Sequence, residues 1–206
     1  MNKRDSDKQI KKASLAGHGY VRGSTLGKYH IQARTLRSLV AEGTAHKVKP
    51  GLYKLTSSGT TAGAWENFVD VCTAMPSAVI CLYSALSYYD LTTFNPPRVA
   101  IALPRNMTPA RMSFPPVKAF RFSERFYSPG IERIRAGVGH FRIYSPEKTI
   151  CDCFRLRRSI GEDLALEALK TYVQSRRFDS TRLHEMAAVC RVASVIKPYV
   201  RAFLAE

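Results

Sequence analysis

Two patterns in the sequence predict an α+β fold in two parts. The first sixty residues run through short helical and strand-like stretches around a Lys-Pro-Gly turn. The remainder sets apolar strands between proline pairs and then closes in four helical segments. A third observation separates the parts: the small polar run Ser-Ser-Gly-Thr-Thr-Ala-Gly at 57–63 reads as a linker. The expected domains are 1–58 and 63–206.

In the first part, residues 5–17 predict a helix anchored by Ile10, Ala13, Leu15 and Ala16 and stopped at Gly17-His18-Gly19. Tyr20-Val21-Arg22 predicts a short strand. Ser24 is the expected cap of a very short second helix ending near Tyr29. A third helix is expected over 30–42, halted at Gly43, where a left-handed residue is easy. Strands at 45–48 and 52–55 flank Lys49-Pro50-Gly51, which suits a tight turn. Helix, short helix, longer helix and β-hairpin is the order of a winged helix-turn-helix.

On a wheel of 100° per residue, Ala33, Leu36, Leu39 and Val40 cluster on the side expected to face the core, with Gln32 and Tyr29 leaning towards it. Arg34 lies almost opposite Leu36, and His30, Ile31, Thr35, Arg37 and Ser38 fill the outward arc. Arg34 is the expected base reader, since arginine pairs with guanine N7 and O6 in the major groove. Ser24, Thr25 and Lys28 are expected near a phosphate, and Lys47 and Lys49 put charge on the wing.

Charge points to the same partner. The chain has 32 Lys+Arg against 16 Asp+Glu, a net charge of +16. Residues 1–60 hold 12 Lys/Arg and 3 Asp/Glu, a net +9 in under a third of the length. Such a segment predicts a polyanionic partner, double-stranded DNA, and weak duplex binding by residues 1–60 alone.

In the second part, Trp65, Phe68, Val69 and Cys72 show helical spacing, and Pro76-Ser77 is expected to open a mostly buried helix reaching about residue 89. Strands are expected at 98–103 and 117–122, and a hairpin at 131–136 and 138–144 around Gly137. Helices follow at 146–158, 162–175, 180–190 and 193–205. Together these predict a larger mixed domain with a small β-sheet and C-terminal helices.

The most distinctive stretch begins Ile143-Tyr-Ser-Pro-Glu-Lys-Thr-Ile-Cys-Asp-Cys-Phe-Arg and runs to Tyr172. Ser145 suits an N-cap and Pro146 the first helical position. Ile150, Cys153 and Phe154 share one face, and Ala165, Ala168, Leu169, Tyr172 and Val173 repeat the spacing after Gly161. Glu147, Lys148, Asp152, Arg155, Arg157 and Arg158 give the first of these helices a polar face. That face is either solvated, ion-paired charge or a surface for DNA backbone, self-association or toxin neutralisation. Lys148, Arg155, Arg157 and Arg158 are the residues expected to carry such a surface.

The wording of 143–172, with the string Arg-Gly-Ser-Thr-Leu … Leu-Val-Ala-Glu-Gly … Pro-Gly-Leu-Tyr in the first part, resembles AbiEi-family antitoxins of type IV toxin–antitoxin systems. The resemblance covers essentially the whole chain in the same domain order. It implies a transcriptional autorepressor that binds operator DNA, expected to carry inverted repeats, and that counteracts a cognate nucleotidyltransferase-like toxin. The antitoxin of such a system need not form a stable complex with its toxin. An alternative reading is a winged-helix regulator without a toxin, whose second domain senses a ligand or dimerises.

The sequence argues against an enzyme. It holds no Gly-x-x-x-x-Gly-Lys-Ser/Thr phosphate loop and no Gly-x-Ser-x-Gly elbow. His184-Glu185 lacks the second histidine of a zinc helix, and Cys151 and Cys153 stand two apart, on different helical faces. Gly23-Ser24 is similar to the Gly-Ser of nucleotidyltransferases, but no paired aspartates follow at short spacing. No catalytic residue, metal or cofactor is expected. The odd count of five cysteines, the lack of an apolar run near the roughly 18 residues of a membrane span, and the charged N-terminus predict a cytoplasmic protein with no membrane partner.

Overall fold

The structure, a computed structural model, describes residues 3–56, 65–137 and 139–205. It is α+β, and the chain divides into two compact units. One comprises Met1–Pro76, Ala110–Pro116 and Arg135–His140; the other comprises Ser77–Pro109, Val117–Ile134 and Phe141–Glu206. The expected linker at 57–63 lies outside the described residues. The first unit continues beyond it to Pro76.

The first unit begins with α1 (Lys3–Ala16), β1 (Tyr20–Arg22) and two 3₁₀ turns (Gly23–Thr25 and Gly27–Tyr29). Helix α2 (Ala33–Ala41), β2 (Ala45–Lys49), β3 (Leu52–Leu55) and α3 (Glu66–Ala74) follow. The three strands pair in the order β1-β3-β2, with Tyr20 opposite Lys54 and Ala45 opposite Leu55. Its core joins Ile10 and Ala13 of α1, Val21 of β1, Ile31 and Leu36, with Leu39, Tyr53 and Leu55 packed around them.

Several expectations change here. Leu15 and Ala16, taken as anchors, are exposed, Leu15 at 80%, because α1 turns Ile10, Ala13 and Ser14 inward. Ser24 caps nothing: it lies within the first 3₁₀ turn, where Thr25 Oγ1 instead donates to the Arg22 carbonyl at 2.9 Å. The long helix starts at Ala33, not His30. His30 adopts a left-handed backbone with φ 52°, which breaks the helical path before it. The wheel is displaced accordingly: Ile31 turns into the core, whereas Ala33, Gln32 and Val40 are exposed.

Helix α3 belongs to the first unit through polar contacts that composition did not show. Asp70, buried on α3, accepts the Tyr20 hydroxyl and the Lys54 ammonium, the latter at 2.8 Å. Burial first, and then the bond to Asp70, pushes the Tyr20 hydroxyl well above its ordinary pKa. A fragment ending at residue 60 lacks Asp70 and leaves Tyr20 and Lys54 without their shared acceptor.

The second unit contains β4 (Val79–Ile80), α4 (Leu82–Tyr88), β5 (Val99–Pro104), β6 (Val117–Phe122) and α5 (Glu124–Tyr127). Strands β7 (Ile131–Ala136) and β8 (Gly139–Tyr144), whose stretch Arg135–His140 is assigned to the first unit, precede α6 (Pro146–Arg155), α7 (Arg157–Ile160), α8 (Glu162–Val173), α9 (Ser180–Cys190) and α10 (Ala193–Leu204). The sheet order is β6-β5-β4-β8-β7, and the pairing is mixed: β4 runs antiparallel to β5 and parallel to β8, while β5 and β6 are parallel. The helix expected from Pro76 is instead a turn and strand β4, followed by α4. Val79 and Ile80 are fully buried at the sheet centre, a placement an all-apolar run cannot distinguish from a buried helix.

Helix α6 begins as expected, with Ser145 Oγ accepting from Lys148 N and Pro146 in the first turn. It ends at Arg155 and resumes as α7, so the single helix expected over 146–158 is broken at Leu156. It packs against α4, α8, α9 and α10. Ile150, Cys153 and Phe154 are fully buried, as are Ala165, Ala168 and Leu169 of α8.

Candidate nucleic-acid interface

Helix α2 is short and one-sided. Leu36 is 1% exposed, while Arg34, Arg37 and Ser38 are exposed on the rest of its circumference and Thr35 is half-buried. The Ser38 hydroxyl donates to Glu42 Oε1 at 3.0 Å along the same helix. Lys28 and His30, in the turn entering α2, are exposed, and so are Ser24 and Lys47; Thr25 is half-buried. Each sits in the first unit, on an element that the core described above fixes.

Lys49 does not join them. Its ammonium is half-buried and donates to the Ala74 carbonyl, because the bulge between Lys47 and Lys49 re-aims the strand end. Of the two hairpin lysines, Lys47 is exposed and Lys49 is not.

The sequence-predicted cations of the second unit occupy a different setting. Lys148 and Asp152 are both fully buried and form an ion pair one helical turn apart. The Lys148 ammonium lies 4.3 Å from the centre of the Tyr144 ring and 5.4 Å from that of Phe122. Arg155 donates through Nε and Nη2 to Asp152 Oδ1 at 3.0 and 2.7 Å. Its guanidinium carbon lies 4.4 Å from the Phe122 ring centre and 4.5 Å from that of Phe126. Cys190 Sγ reaches the same Asp152 oxygen at 3.7 Å. Glu147, also buried, accepts the Tyr172 hydroxyl.

These contacts correct the expectation of a polar surface on this helix. Lys148 is interior, and Arg155 is held from within by Asp152. Arg157 is half-exposed and donates to the Phe154 carbonyl at 2.8 Å, with Glu162 3.7 Å away. Only Arg158 of the four is exposed. The local ion pairing that the sequence offered is present, but Glu147, Lys148 and Asp152 are buried and not solvated. They form an internal network, closed because helices surround α6.

Gly130 fits that closure. Its φ is 74°, and an added Cβ would stand 2.7 Å from Lys148 Cβ, so a side chain there would displace the lysine. Its carbonyl accepts the Ser145 N–H at 2.7 Å, tying the α6 start to the preceding turn.

The thiols near this network are held as thiols. Burial pushes Cys81 and Cys153 well above the usual range, and the nearby Asp152 carboxylate adds to it. Cys151 is raised chiefly by its hydrogen bond with Cys190 and then by burial. Thiols raised in this way are poor nucleophiles and metal ligands. Among the described residues no group of three His, Cys, Asp or Glu side chains is placed to hold a metal, and no helix is long and apolar enough to cross a membrane.

In comparisons with known proteins, no family model matches this chain and no curated protein matches it.

Proposed function

We propose that the chain is a duplex-DNA-binding protein whose first unit works as a winged helix-turn-helix, with α2 laid towards the major groove. The observation that carries this reading is the sidedness of α2: Leu36 anchors the core while Arg34, Arg37 and Ser38 are presented outward. Arg34 is the base reader in this scheme, and Lys28, Arg37 and Lys47 neutralise phosphates. The net +9 of residues 1–60 supplies the sequence-independent part of the affinity.

The finer form of the proposal is an antitoxin and autorepressor of a type IV system, opposed to a nucleotidyltransferase-like toxin encoded beside it. It rests on the resemblance of 143–172. Footprinting of the chain's own upstream DNA by the full-length protein tests repression, with protection of paired inverted repeats expected. Rescue of cells expressing the neighbouring toxin tests the antitoxin role. Protected repeats without rescue would leave a regulator with a ligand-sensing second unit, a reading that an arginine-lined pocket there favours.

A further inference from the structure

Beside Arg155 the second unit opens a pocket of about 400 Å³, lined by Arg105, Arg121, Phe122, Ser123, Phe126 and Arg155. Three of its six lining residues are arginines, and no lining residue is acidic. Arg105 follows β5, Arg121 lies near the end of β6, and Arg155 is the last residue of α6. The parallel register of β5 and β6, with Leu103 opposite Arg121 and Pro104 opposite Phe122, brings the ends of the two strands together.

Asp152 is one carboxylate serving two cations, Lys148 and Arg155. Glu147, the other buried acid of α6, is engaged by the Tyr172 hydroxyl. Of the two cations that Asp152 holds, Lys148 is fully buried and Arg155 is the one that lines the pocket. Arg105 and Arg121 add two more, with no salt bridge to either among the described residues. Arg155 is also fixed in place: Asp152 holds two of its nitrogens, and its guanidinium carbon packs near the Phe122 and Phe126 rings. A guanidinium immobilised before binding loses little freedom on taking a ligand, and Asp152 takes bonds from only two of its three nitrogens.

We infer that this pocket is an anion site for the phosphate group of a small molecule, with Arg155 as the preset donor and Arg105 and Arg121 as the exposed ones. Arginines suit a tetrahedral phosphate because their paired N–H groups match two of its oxygens. Two sources share that chemistry: free phosphate or pyrophosphate, and a nucleoside phosphate. A second cavity, of about 830 Å³, shares Arg121 with the first and includes Tyr83, Phe94 and Phe120, faces on which a base can stack. The inference stands on the second unit alone and does not rest on the DNA reading.

The test is calorimetric titration of the full-length protein with inorganic phosphate, pyrophosphate and AMP, each repeated with Arg105→Ala, Arg121→Ala and Arg176→Ala. Arg105, Arg121 and Arg176 are exposed, so none of these variants opens the core. Arg176→Ala removes the same charge outside the pocket. We expect saturable one-to-one binding of at least one probe, weakened tenfold or more by Arg105→Ala and by Arg121→Ala and unchanged by Arg176→Ala. Tighter binding of AMP than of the inorganic probes assigns the source as a nucleotide, and equal or weaker binding assigns a free anion. Absence of saturable binding of all three probes, or equal weakening by Arg176→Ala, overturns the inference. So does an anion response that appears only with duplex DNA.

Discussion

Arg34 on α2 and Arg155 on α6 are both arginines of amphipathic helices, yet they stand in opposite physical situations. Arg34 is exposed on a helix that touches its unit along one stripe, through Leu36. Arg155 ends a helix enclosed by α4, α8, α9 and α10, and it shares a fully buried carboxylate with Lys148. The first arrangement leaves charge free for a partner and contributes little to stability. The second fixes the fold, because removing one member strands a charge in the interior. A charged helix face therefore says nothing about function until the packing around it is known.

The sharpest way to break this comparison is Asp152→Ala. It takes the carboxylate from both Lys148 and Arg155 and should cost about 3–5 kcal/mol in denaturant unfolding. Arg34→Ala in the same assay should stay within about 0.5 kcal/mol. Equal costs at the two positions would mean that α6 is not the interior helix described here.

Tyr172→Phe tests the other half of the network. It deprives buried Glu147 of a hydroxyl donor, and about 1.5–3 kcal/mol should be lost. The pH dependence has a definite sign. Burial, and then the bond to Glu147, raise the Tyr172 pKa, so the folded state keeps a proton that the unfolded chain releases first. The contribution is complete below about pH 10, the ordinary tyrosine value, and declines as pH rises further. Urea titrations between neutral and strongly alkaline pH should therefore show less alkaline loss in Tyr172→Phe than in the parent chain.

Arg34→Ala should reduce discrimination between operator and random duplex by about 1–3 kcal/mol, read by competition binding. An unchanged preference would remove Arg34 from the base-reading role. The smallest effects separate the two lysines of the β2–β3 hairpin. Lys47→Ala should lower the slope of log affinity against log salt by about 1. Lys49→Ala should leave that slope alone and cost about 1 kcal/mol of stability, since its ammonium bonds the Ala74 carbonyl.

Much of the fold was legible because local chemistry decided it. Ser145-Pro146 specified the start of α6, the Lys49-Pro50-Gly51 turn specified the β2–β3 hairpin, and the spacing of Ala165, Ala168 and Leu169 specified the buried face of α8. What failed depended on distant partners. Val79-Ile80 is a strand because β5 and β8 flank it, and nothing in an apolar run says so. The left-handed His30, which moved the start of α2 and turned Ile31 inward, has no signal as clear as a glycine would give. The α6 network was unreadable for the same reason. Lys148 is interior only because helices from far along the chain, α9 among them, close over it.

The most direct test of the central claim is the salt dependence of duplex binding by the full-length protein and by a variant carrying Lys28→Ala, Arg37→Ala and Lys47→Ala. All three residues are exposed in the first unit and lie outside the buried network, so the variant should melt like the parent. If these side chains meet phosphates, log affinity falls linearly with log salt, and the slope becomes shallower by roughly 0.9 per contact removed. Parallel lines for the two proteins, or no duplex binding by the parent at low salt, would contradict the account.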